Sequence, residues 1–528
     1  MMKKTMKQYS FASQLKSLTV VFGIALTFAS CAKEDVAQNP TNKEGDNDKN
    51  LTTFVAGDEA KTRTSLDYNS SDFSWEAGDY IYVKDDDGVL RKSTNAPTSK
   101  VAAFKYKVPG KFTAKTSYKV YYFGKNSSNN QVVIPSAQSQ STPNNTEHFG
   151  VSGDYGTATA TGTLGGKEFS FELEHQAAYL VFHPYVSNTL LQNCYLTKIE
   201  VSSDNDIAST YTLNASTGTL QSVSTGAEAD KEIILSTKGS GAYANGFPLN
   251  TASDNIAVNG AYMVIKPGTH TLKVRYWLKD VSTGTEGTVT KAFKAFNYDV
   301  NNYYDIDGNL NIRDYDGDHY YQWDAQEQYW KGHEWWSANK DQPVLNNTSN
   351  GNYPQNNADP RYKNEGLGTP FNATHSCASL PNVNEMTWYA AYGNPCWDAD
   401  ELWTTMGHLY KGGMWFKKKS VLQDEGHYNS NMAALGSDYR TIGDSDSRPA
   451  FHTLPSAADA NKYFYLPALG RYHNGKLEEV GSSGYYWSSS AYPGYNHVAY
   501  YLYFNNTYLS VDYYYVRYSG MRIDPMVE

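Results

Sequence analysis

Residues 483–495 (SGYYWSSSAYPGY) combine aromatic rings and hydroxyl groups near the end of the chain. The Pro-Gly pair indicates a turn. The side chains on this turn that are suited to contact with a ligand are Tyr492, Tyr495, Asn496 and His497. Exposed aromatic rings can stack on the apolar faces of sugars, or anchor a protein interface, with little loss of conformational entropy. A solvated turn that binds nothing is the alternative interpretation.

The residues before this turn favour a buried strand. Trp487 is expected in a core, because large rings at the start of a strand usually pack against other side chains. Residues 488–490, three serines, are expected at an edge or in a turn, and the sequence places no base or acid to activate them. Along HVAYYLYF, which follows the turn, one set of alternate residues is expected to face the core.

The remaining reactive residues indicate neither a metal site nor a catalytic site. The histidines are scattered, paired CxxC motifs are missing, and the aspartates of residues 305–318 fit turns better than a calcium loop. Cys377 and Cys396 are close enough in sequence to form a disulfide, while Cys194 is left over and is expected to be buried. We therefore predict no enzymatic activity, no metal and no cofactor.

Length and charge limit the class of protein. A chain of 528 residues is long enough for about three domains, each with its own core. The formal net charge of -10 argues against a nucleic-acid partner, because binding to a phosphate backbone needs a basic face.

Residues 1–30 predict a signal peptide. Lysines at positions 3, 4, 7 and 16 precede the apolar run LTVVFGIALTFA, which is too short to span a bilayer comfortably. Cys31 follows FAS in a pattern that resembles the lipobox of bacterial lipoproteins, and this resemblance implies that Cys31 carries the lipid. Plain secretion, with an ordinary cysteine near the cleavage site, is the alternative.

Residues 31–50 form the expected tether. The AKED sequence after Cys31 resembles an export signal that sends lipoproteins to the outer face of the outer membrane. The residues that follow have almost no apolar side chains, so they cannot form a core and should remain flexible. We therefore expect a mature protein that is anchored by lipid in the outer membrane and exposed at the cell surface.

From residue 51 to about residue 312, short segments rich in Val, Ile, Tyr, Phe and Thr alternate with turn residues. One of these segments, YIYVKDDDGVLRKS (residues 80–93), predicts a β-hairpin with an Asp-Gly turn. Because this spacing lacks helical periodicity, it predicts two tandem β-sandwiches that cover residues 51–185 and 186–312.

Beyond residue 312 the composition changes, and nine of the eleven tryptophans lie there. Two segments with Asn or Asp in capping positions predict helices, NVNEMTWYAAY (residues 382–392) and DADELWTTMGHLY (residues 398–410). Long connections rich in Gly, Asn and Ser surround them. The third domain, residues 313–528, is therefore expected to be α+β.

The first two predicted domains resemble the fimbrillin family, which includes the pilins of type V pili. The resemblance is carried, in order along the chain, by AKTRTSLD, FSWEAGDYIYV, YKVYYFG, HFGVSGDYGTATA, FELEHQAAYLVF and AYMVIKPGTHTLKVRYW. It implies two transthyretin-like β-sandwiches in tandem. It also implies assembly with other pilin subunits by donor-strand exchange, after a surface protease has cut behind an arginine.

Arg63 and Thr64 flank the cleavage position that this resemblance implies. Removal of LTTFVAGDEAKTR would open a groove in the first sandwich, and a strand of a neighbouring subunit would fill that groove through backbone hydrogen bonds. An uncut arginine in a surface turn is the alternative interpretation.

The third domain resembles the C-type-lectin-like surface domains that are often joined to fimbrillin modules. The likeness is carried by CASLPNVNEMTWYAAYGNPCWD, LYKGGMWFKKKSVL, YFYLPALGRYHNGKL and GYYWSSSAYPGYNHVAYYLYF. The chain lacks the Glu-Pro-Asn, Gln-Pro-Asp and Trp-Asn-Asp motifs of calcium-dependent sugar binders. Calcium-mediated coordination of a sugar is therefore not implied.

Together these features predict a mainly β, surface-exposed fimbrillin-type lipoprotein. We expect a tip or accessory subunit of a pilus, because a whole domain occupies the C-terminus that a stalk subunit must donate as a strand. The expected partners are other pilin subunits and a glycan or protein on a host or bacterial surface. An unpolymerised lipoprotein that captures glycans as nutrients is the alternative function.

Overall fold

The computed structural model describes residues 7–10, 50–57, 65–68, 72–125, 131–214, 217, 220–223, 227–366 and 371–524. Strands dominate these residues, which confirms the mainly β class. The chain divides into two compact units: Met1–Tyr276 with Phe293–Leu310, and Trp277–Ala292 with Asn311–Glu528. Over the described ranges, no helix has both the length and the apolar character needed to span a membrane.

The first part of the first unit is built on one large sheet. The strands from residue 7 to residue 175 are β1 (Lys7–Ser10), β2 (Leu51–Ala56), β3 (Ser65–Asp67), β4 (Asp72–Ser74), β5 (Tyr82–Lys84), β6 (Leu90–Lys92), β7 (Phe104–Pro109), β8 (Ser117–Tyr122), β9 (Gln131–Ile134), β10 (Ala137–Ser139), β11 (Gly156–Gly162), β12 (Glu168–Phe171) and β13 (Glu174–His175). The large sheet has the order β6-β5-β8-β11-β12-β2-β7, with β13 beside β11, and β3 pairs with β4.

Strand β2 lies inside this sheet, between two neighbours. It runs parallel to β12 and antiparallel to β7. Successive side chains of a strand point to opposite faces, and on β2 this alternation leaves Phe54 and Ala56 completely buried. The Phe54 ring centroid lies 5.1 Å from that of Phe112 and 5.5 Å from that of Phe169. The side chains of β2 are therefore part of the aromatic core.

The hairpin predicted for residues 80–93 is confirmed as the antiparallel pair β5 and β6. Asp85 closes the turn, because its Oδ1 accepts hydrogen bonds from the backbone N–H groups of Asp87 and Val89 at 3.1 and 2.8 Å. Burial alone would raise the pKa of Asp85, but the hydrogen bond from Arg91 Nε, at 2.8 Å, and those from the backbone lower it. A turn held by its own side chains is a local feature, so the sequence predicts it well.

The rest of the first unit contains smaller sheets. The strands from residue 178 to residue 309 are β14 (Ala178–Tyr185), β15 (Cys194–Ser203), β16 (Ser209–Leu213), β17 (Leu220–Ser222), β18 (Glu232–Ser236), β19 (Phe247–Pro248), β20 (Ala261–Ile265), β21 (Gly268–His270), β22 (Leu272–Asp280), β23 (Glu286–Ala292), β24 (Phe296–Tyr298) and β25 (Asn302–Asn309). Within the first unit the sheet orders are β1-β25-β14-β20, β10-β18-β15-β22 with β19 beside β15, β17-β16-β9, and β21-β24. The helical turns are Leu191–Asn193, Glu228–Lys231, Gly241–Tyr243 and α1 (Ile256–Asn259).

Asp305 and Asp307 lie in strand β25 and not in the turn that the sequence predicts. The reason is the long parallel pairing of β25 with β14, which outweighs the turn preference of Asp and Gly. Asp305 accepts a hydrogen bond from the Tyr68 hydroxyl at 3.0 Å, and it lies 2.9 Å from His183 Nε2. Burial alone would lower the pKa of His183, but Asp305 and Asp254 raise it.

The second unit contains β23 and the strands that follow residue 311. These are β26 (Tyr320–Tyr321), β27 (Cys396–Thr405), β28 (His408–Lys417), β29 (Asp446–Pro449), β30 (Tyr463–Pro467), β31 (Leu469–His473), β32 (Lys476–Val480), β33 (Ser483–Ala491), β34 (Ala499–Asn505), β35 (Tyr508–Asp512) and β36 (Met521–Arg522). One sheet has the order β23-β27-β28-β30, and the other has β26-β36-β33-β34-β35-β29, with β31 paired to both β32 and β33. The helices are α2 (Val383–Tyr392), α3 (Lys419–Asp424), α4 (Tyr439–Ile442) and the 3-10 turns Gly317–His319 and Ala460–Lys462.

The first of the two predicted helices is confirmed as α2, and the prediction of the second helix is wrong. At the start of α2, the Asn382 side chain accepts a hydrogen bond from the Glu385 N–H, and the Glu385 side chain accepts one from the Asn382 N–H. This reciprocal capping box is a local signal for a helix start. Residues 398–410 instead belong to β27 and β28, which pair antiparallel. Pairing within this β27–β28 hairpin outweighs the weak helix preference of the segment.

Strands β33 and β34 are buried on both faces, although the alternating sequence predicts one buried face. One face carries Tyr486, Leu502 and Phe504, and the other face carries Tyr485, Trp487 and Tyr501. Trp487 is 1% exposed, so its prediction as a core residue is confirmed. The serines at residues 488–490 are buried inside β33 and are not edge residues, because a covering segment donates a hydrogen bond from Ala373 N–H to the Ser489 carbonyl at 2.8 Å.

Candidate functional site

The four side chains predicted to contact a ligand lie on the turn between β33 and β34. Tyr495 is 61% exposed, Asn496 and His497 are also exposed, and Tyr492 is partly buried. The turn follows the pair Ala491 and Ala499, and the register of β33 against β34 shifts between Trp487 and Ala491. The structure therefore brings the predicted residues together on one surface of the second unit, and the ligand contact itself stays a prediction.

Two further tyrosines, Tyr513 and Tyr514, join this turn from the segment that follows β35. The rings of Tyr495, Tyr492, Tyr513 and Tyr514 lie nearly parallel in that order, and we call these four residues the tyrosine column. Neighbouring ring centroids are 6.0, 4.0 and 5.2 Å apart, with interplanar angles of 14°, 23° and 27°. Stacked rings at such distances attract one another beyond the effect of the area that they bury.

The two inner rings of the tyrosine column rest on the core of the second unit. Tyr492 and Tyr513 both pack against this core. The ring of Tyr500 lies beneath them, with centroid distances of 5.9 Å to Tyr492 and 5.7 Å to Tyr513. The Tyr500 hydroxyl donates a hydrogen bond to the Tyr439 carbonyl at 3.0 Å. The inner half of the column is therefore held in place before any ligand binds.

Gly443, which ends helix α4, lies directly against the tyrosine column. Its φ of +72° is left-handed, a conformation that glycine adopts without strain at a helix C-terminus. A Cβ atom added at this position would lie 3.0 Å from the Tyr492 ring. Both the backbone conformation and the close approach to the ring favour glycine here.

Arg517 fixes the end of the turn that bears the column. Its backbone N–H donates to the His497 carbonyl at 2.9 Å, and its Nε donates to the Val498 carbonyl at 2.9 Å. The side chain is completely buried, with its guanidinium carbon 4.4 Å from the Trp323 ring centroid, and burial lowers the pKa of Arg517 to about 10. The turn is thus anchored at its base.

Two carboxylates act on rings of this region, Asp512 on Tyr513 and Asp444 on Tyr500. Burial raises the pKa of Tyr513 to about 12, with the Tyr492 hydroxyl and Asp512 contributing. Burial also raises the pKa of Tyr500, with Asp444 among the contributors. The Asp512 carboxylate accepts the Tyr513 N–H at 2.7 Å, while burial raises its pKa. The column therefore offers ring faces and hydroxyl groups, with the Asp512 carboxylate next to Tyr513.

Sequence reasoning missed the contribution of Tyr513 and Tyr514. The signal that could have revealed them is the run of three tyrosines in DYYYVRY, since three consecutive large rings cannot all face one core. In the structure Tyr513 turns to the column, Tyr514 is 73% exposed, and Tyr515 packs against the core on the opposite side of the sheet. Which tyrosine would stack on Tyr492 depends on the tertiary fold.

The structure contradicts the predicted disulfide, because Cys377 and Cys396 are both buried free thiols. Cys377 Sγ accepts a hydrogen bond from the Asp324 N–H at 3.2 Å, and burial raises its pKa to about 12. Cys396 Sγ donates to the Thr453 carbonyl at 3.0 Å, and burial raises its pKa to about 11. Each thiol is held by partners on a different segment. Cys194 is buried, as predicted.

Cys31, Arg63 and Thr64 lie outside the described residues, so lipid attachment and cleavage stay predictions. In the part of the chain that the structure does describe, no group of three or more His, Cys, Asp and Glu side chains is arranged to hold a metal ion.

Comparisons with known proteins give only distant similarity. No family model matches the chain, and no curated protein matches it. Among solved structures, a candidate cell adhesion protein from Bacteroides uniformis is 22% identical with a TM-score of 0.28, over 46% of this chain and 88% of that one. The fimbrial anchor protein Mfa2 from Porphyromonas gingivalis is 12% identical with a TM-score of 0.22, over 46% and 82%. A fimbrial protein from Bacteroides ovatus is 11% identical with a TM-score of 0.23, over 89% and 98%. Similarity at this level carries no argument about function.

Proposed function

We propose that this chain is a surface-exposed fimbrillin-type lipoprotein that serves as a tip or accessory subunit of a pilus. In this proposal the first sandwich joins other subunits by strand exchange, and the C-terminal domain adheres to a glycan or protein. Lipid on Cys31 tethers the unprocessed protein to the outer membrane. The observation that carries the proposal is the interior position of β2.

An interior strand that precedes a cleavage site is what strand exchange requires. Strand β2 ends at Ala56, so a cut after Arg63 would separate it from the rest of the chain. Its loss would leave β12 and β7 with unpaired backbone groups, and it would empty the place of the Phe54 ring beside Phe112. Unpaired backbone edges and an empty apolar pocket favour the binding of an extended segment with alternating side chains.

The tyrosine column is the surface that we assign to adhesion. Its end residues, Tyr495 and Tyr514, are 61% and 73% exposed, while its inner rings pack on the core. Rigid aromatic side chains supply a large contact area and lose little conformational entropy on binding. This combination of exposure and support is typical of a binding surface.

The alternative function, an unpolymerised lipoprotein that captures glycans as nutrients, would use the same tyrosine column. It does not require that β2 can be exchanged. The behaviour of β2 therefore separates the two functions.

Strand complementation tests the proposal. A chain that begins at Thr64 is compared with one that begins at Ala32, and thermal unfolding is measured with and without the peptide LTTFVA (residues 51–56). We expect the shorter chain to unfold at a lower temperature and the peptide to restore most of the loss. The matched control peptide carries Phe54→Asp, and it should not restore stability because it would place a carboxylate in an apolar pocket.

Strand exchange would be rejected if the shorter chain were as stable as the longer one. It would also be rejected if LTTFVA and the Phe54→Asp peptide had equal effects. Either result would leave the nutrient-capture function as the better account of the tyrosine column.

A further inference from the structure

The tyrosine column offers ring faces only at its two ends. The inner rings, Tyr492 and Tyr513, cover one another at a centroid distance of 4.0 Å. Tyr495 and Tyr514 each have one stacked neighbour in the column, and they are the most exposed of its members. A ligand that stacks on the column must therefore use the outer faces of these two rings.

A flat ring face suits a ligand that has an apolar face and a polar rim. The C–H groups on one side of a pyranose ring form such a face, and they contact an aromatic ring through dispersion and weak hydrogen bonds. Tyrosine hydroxyl groups and the amide of Asn496 can donate and accept hydrogen bonds at the rim. Asn496 and His497 are both exposed beside Tyr495, and the His497 ring centroid lies 5.4 Å from that of Tyr495.

The local charge narrows the class of ligand. The carboxylates of Asp444 and Asp512 act on the rings beside and beneath the column, so a saccharide with carboxylate or sulfate groups would be repelled. Among saccharides, an uncharged one therefore fits this surface better than an anionic one.

We propose that the two exposed ends of the tyrosine column stack against an uncharged saccharide, without help from a metal ion. This inference rests on the proposed adhesive function and names its ligand class. Because the inner rings, the turn and Gly443 hold the column in place, binding requires little ordering of the protein.

An array of immobilised oligosaccharides tests this inference with the full mature chain. The uncharged probes are cellotetraose, mannotetraose and lacto-N-tetraose, the anionic probes are sialyllactose and sulfated galactose, and oligolysine is the cationic probe. We expect binding to at least one uncharged probe, with no change when EDTA is added. Tyr495→Ala and Tyr514→Ala should each weaken that binding by about tenfold or more.

Two variants serve as controls for these effects. Tyr514→Phe keeps the ring face and should retain most of the binding. Tyr508→Ala removes a ring that is 42% exposed on β35, where it contacts Tyr503 and not the column, and it should bind like the unmodified chain. Circular dichroism of each variant confirms that the fold is intact.

Several results would overturn the inference. These are the absence of binding to every uncharged probe, a preference for the anionic or cationic probes, loss of binding with EDTA, or equal effects of Tyr514→Ala and Tyr508→Ala. Failure here, together with successful strand complementation, would reject the saccharide and keep the pilus subunit. Saccharide binding that depends on Tyr514, together with failed complementation, would keep the ligand class and reject the pilus subunit.

Discussion

His148 is a buried histidine whose Nε2 lies 3.0 Å from the Tyr262 carbonyl oxygen. Burial lowers its pKa from 6.5 to about 4, although hydrogen bonds to backbone carbonyls oppose this shift. Between these two pH values, the unfolded chain takes up a proton that the folded protein does not bind. The contribution of His148 to stability is therefore present above pH 6.5, and it is lost as the pH falls toward 4.

We expect His148→Gln to make folding less sensitive to acid, because the amide has no proton to gain. Urea unfolding at pH 7 and at pH 4.5 measures this effect. The loss of unfolding free energy between the two pH values should be smaller in the variant by roughly 2 kcal/mol. His497→Gln changes an exposed histidine and should leave that loss as it is in the unmodified chain. Identical losses in the unmodified chain and in H148Q would contradict the prediction.

At the scale of single residues, the sequence predicts burial better than it predicts contact. Trp487 is buried as its size and position indicate, because the burial of a large ring depends mainly on its own chemistry. The stacking of Tyr492 on Tyr513 joins residues from two segments whose approach is set by the pairing of β34 with β35. The sequence therefore places half of the tyrosine column on the turn and cannot reveal the other half.

At the scale of elements, a complete capping signal identifies α2, whereas the residues of β27 carry a helix-like pattern that strand pairing overrides. The capping box of α2 lies within four consecutive residues, so the sequence contains all of it. The strand character of β27 comes from its pairing with β28 and, through Glu401 opposite Thr288, with β23. Strand β28 follows β27 after the two-residue turn Met406–Gly407, so the pairing of adjacent strands, and not a remote contact alone, overrides the helix-like capping pattern of this segment.

Glu401 links β27 to β23. Its carboxylate accepts hydrogen bonds from the Thr288 hydroxyl at 3.0 Å, the Thr290 N–H at 3.0 Å and the Thr290 hydroxyl at 2.6 Å. The residue is 8% exposed, so these bonds to a charged acceptor are largely shielded from water. Bonds of this kind contribute about 1.5–3 kcal/mol each in favourable cases.

We expect Glu401→Ala to loosen β23 without unfolding the rest of the second unit. Hydrogen–deuterium exchange should become faster by about tenfold or more across residues 286–292, because the Thr290 N–H and both hydroxyl groups lose their acceptor. The matched control is Glu425→Ala, which removes a carboxylate from its ion pair with Lys417 on another part of the unit. Exchange in residues 286–292 that is the same in both variants would show that Glu401 does not hold β23.

At the scale of the whole molecule, each of the two compact units is built from two separate segments of the chain. Residues 277–292 lie within the segment predicted as the second sandwich, yet they group with the C-terminal unit. A fragment that begins at residue 313 would therefore lack β23, the strand that Glu401 holds. Such grouping depends on which strands meet in space, and the sequence of residues 277–292 does not show it.

In our proposal, both the release of the protein from its lipid anchor and its entry into the pilus depend on cleavage after Arg63. Cys31, the proposed site of the lipid, and strand β2 both precede this residue in the sequence, so a single cut would release the protein from the proposed anchor and open its sheet. A protein that is not cut should keep both its anchor and its own strand. Release and polymerisation are thus expected to be lost together.

Cell fractionation of an Arg63→Ala variant tests this coupling. We expect the unmodified protein in both the outer-membrane fraction and the sheared fibres, and the variant in the outer-membrane fraction alone. Arg91→Ala is the matched control, because it removes an arginine from the β5–β6 hairpin and should leave the distribution unchanged. Arg63→Ala protein in the fibres at the normal level would contradict the coupling, since β2 would then have left the sheet without the cut or would never have needed to leave it.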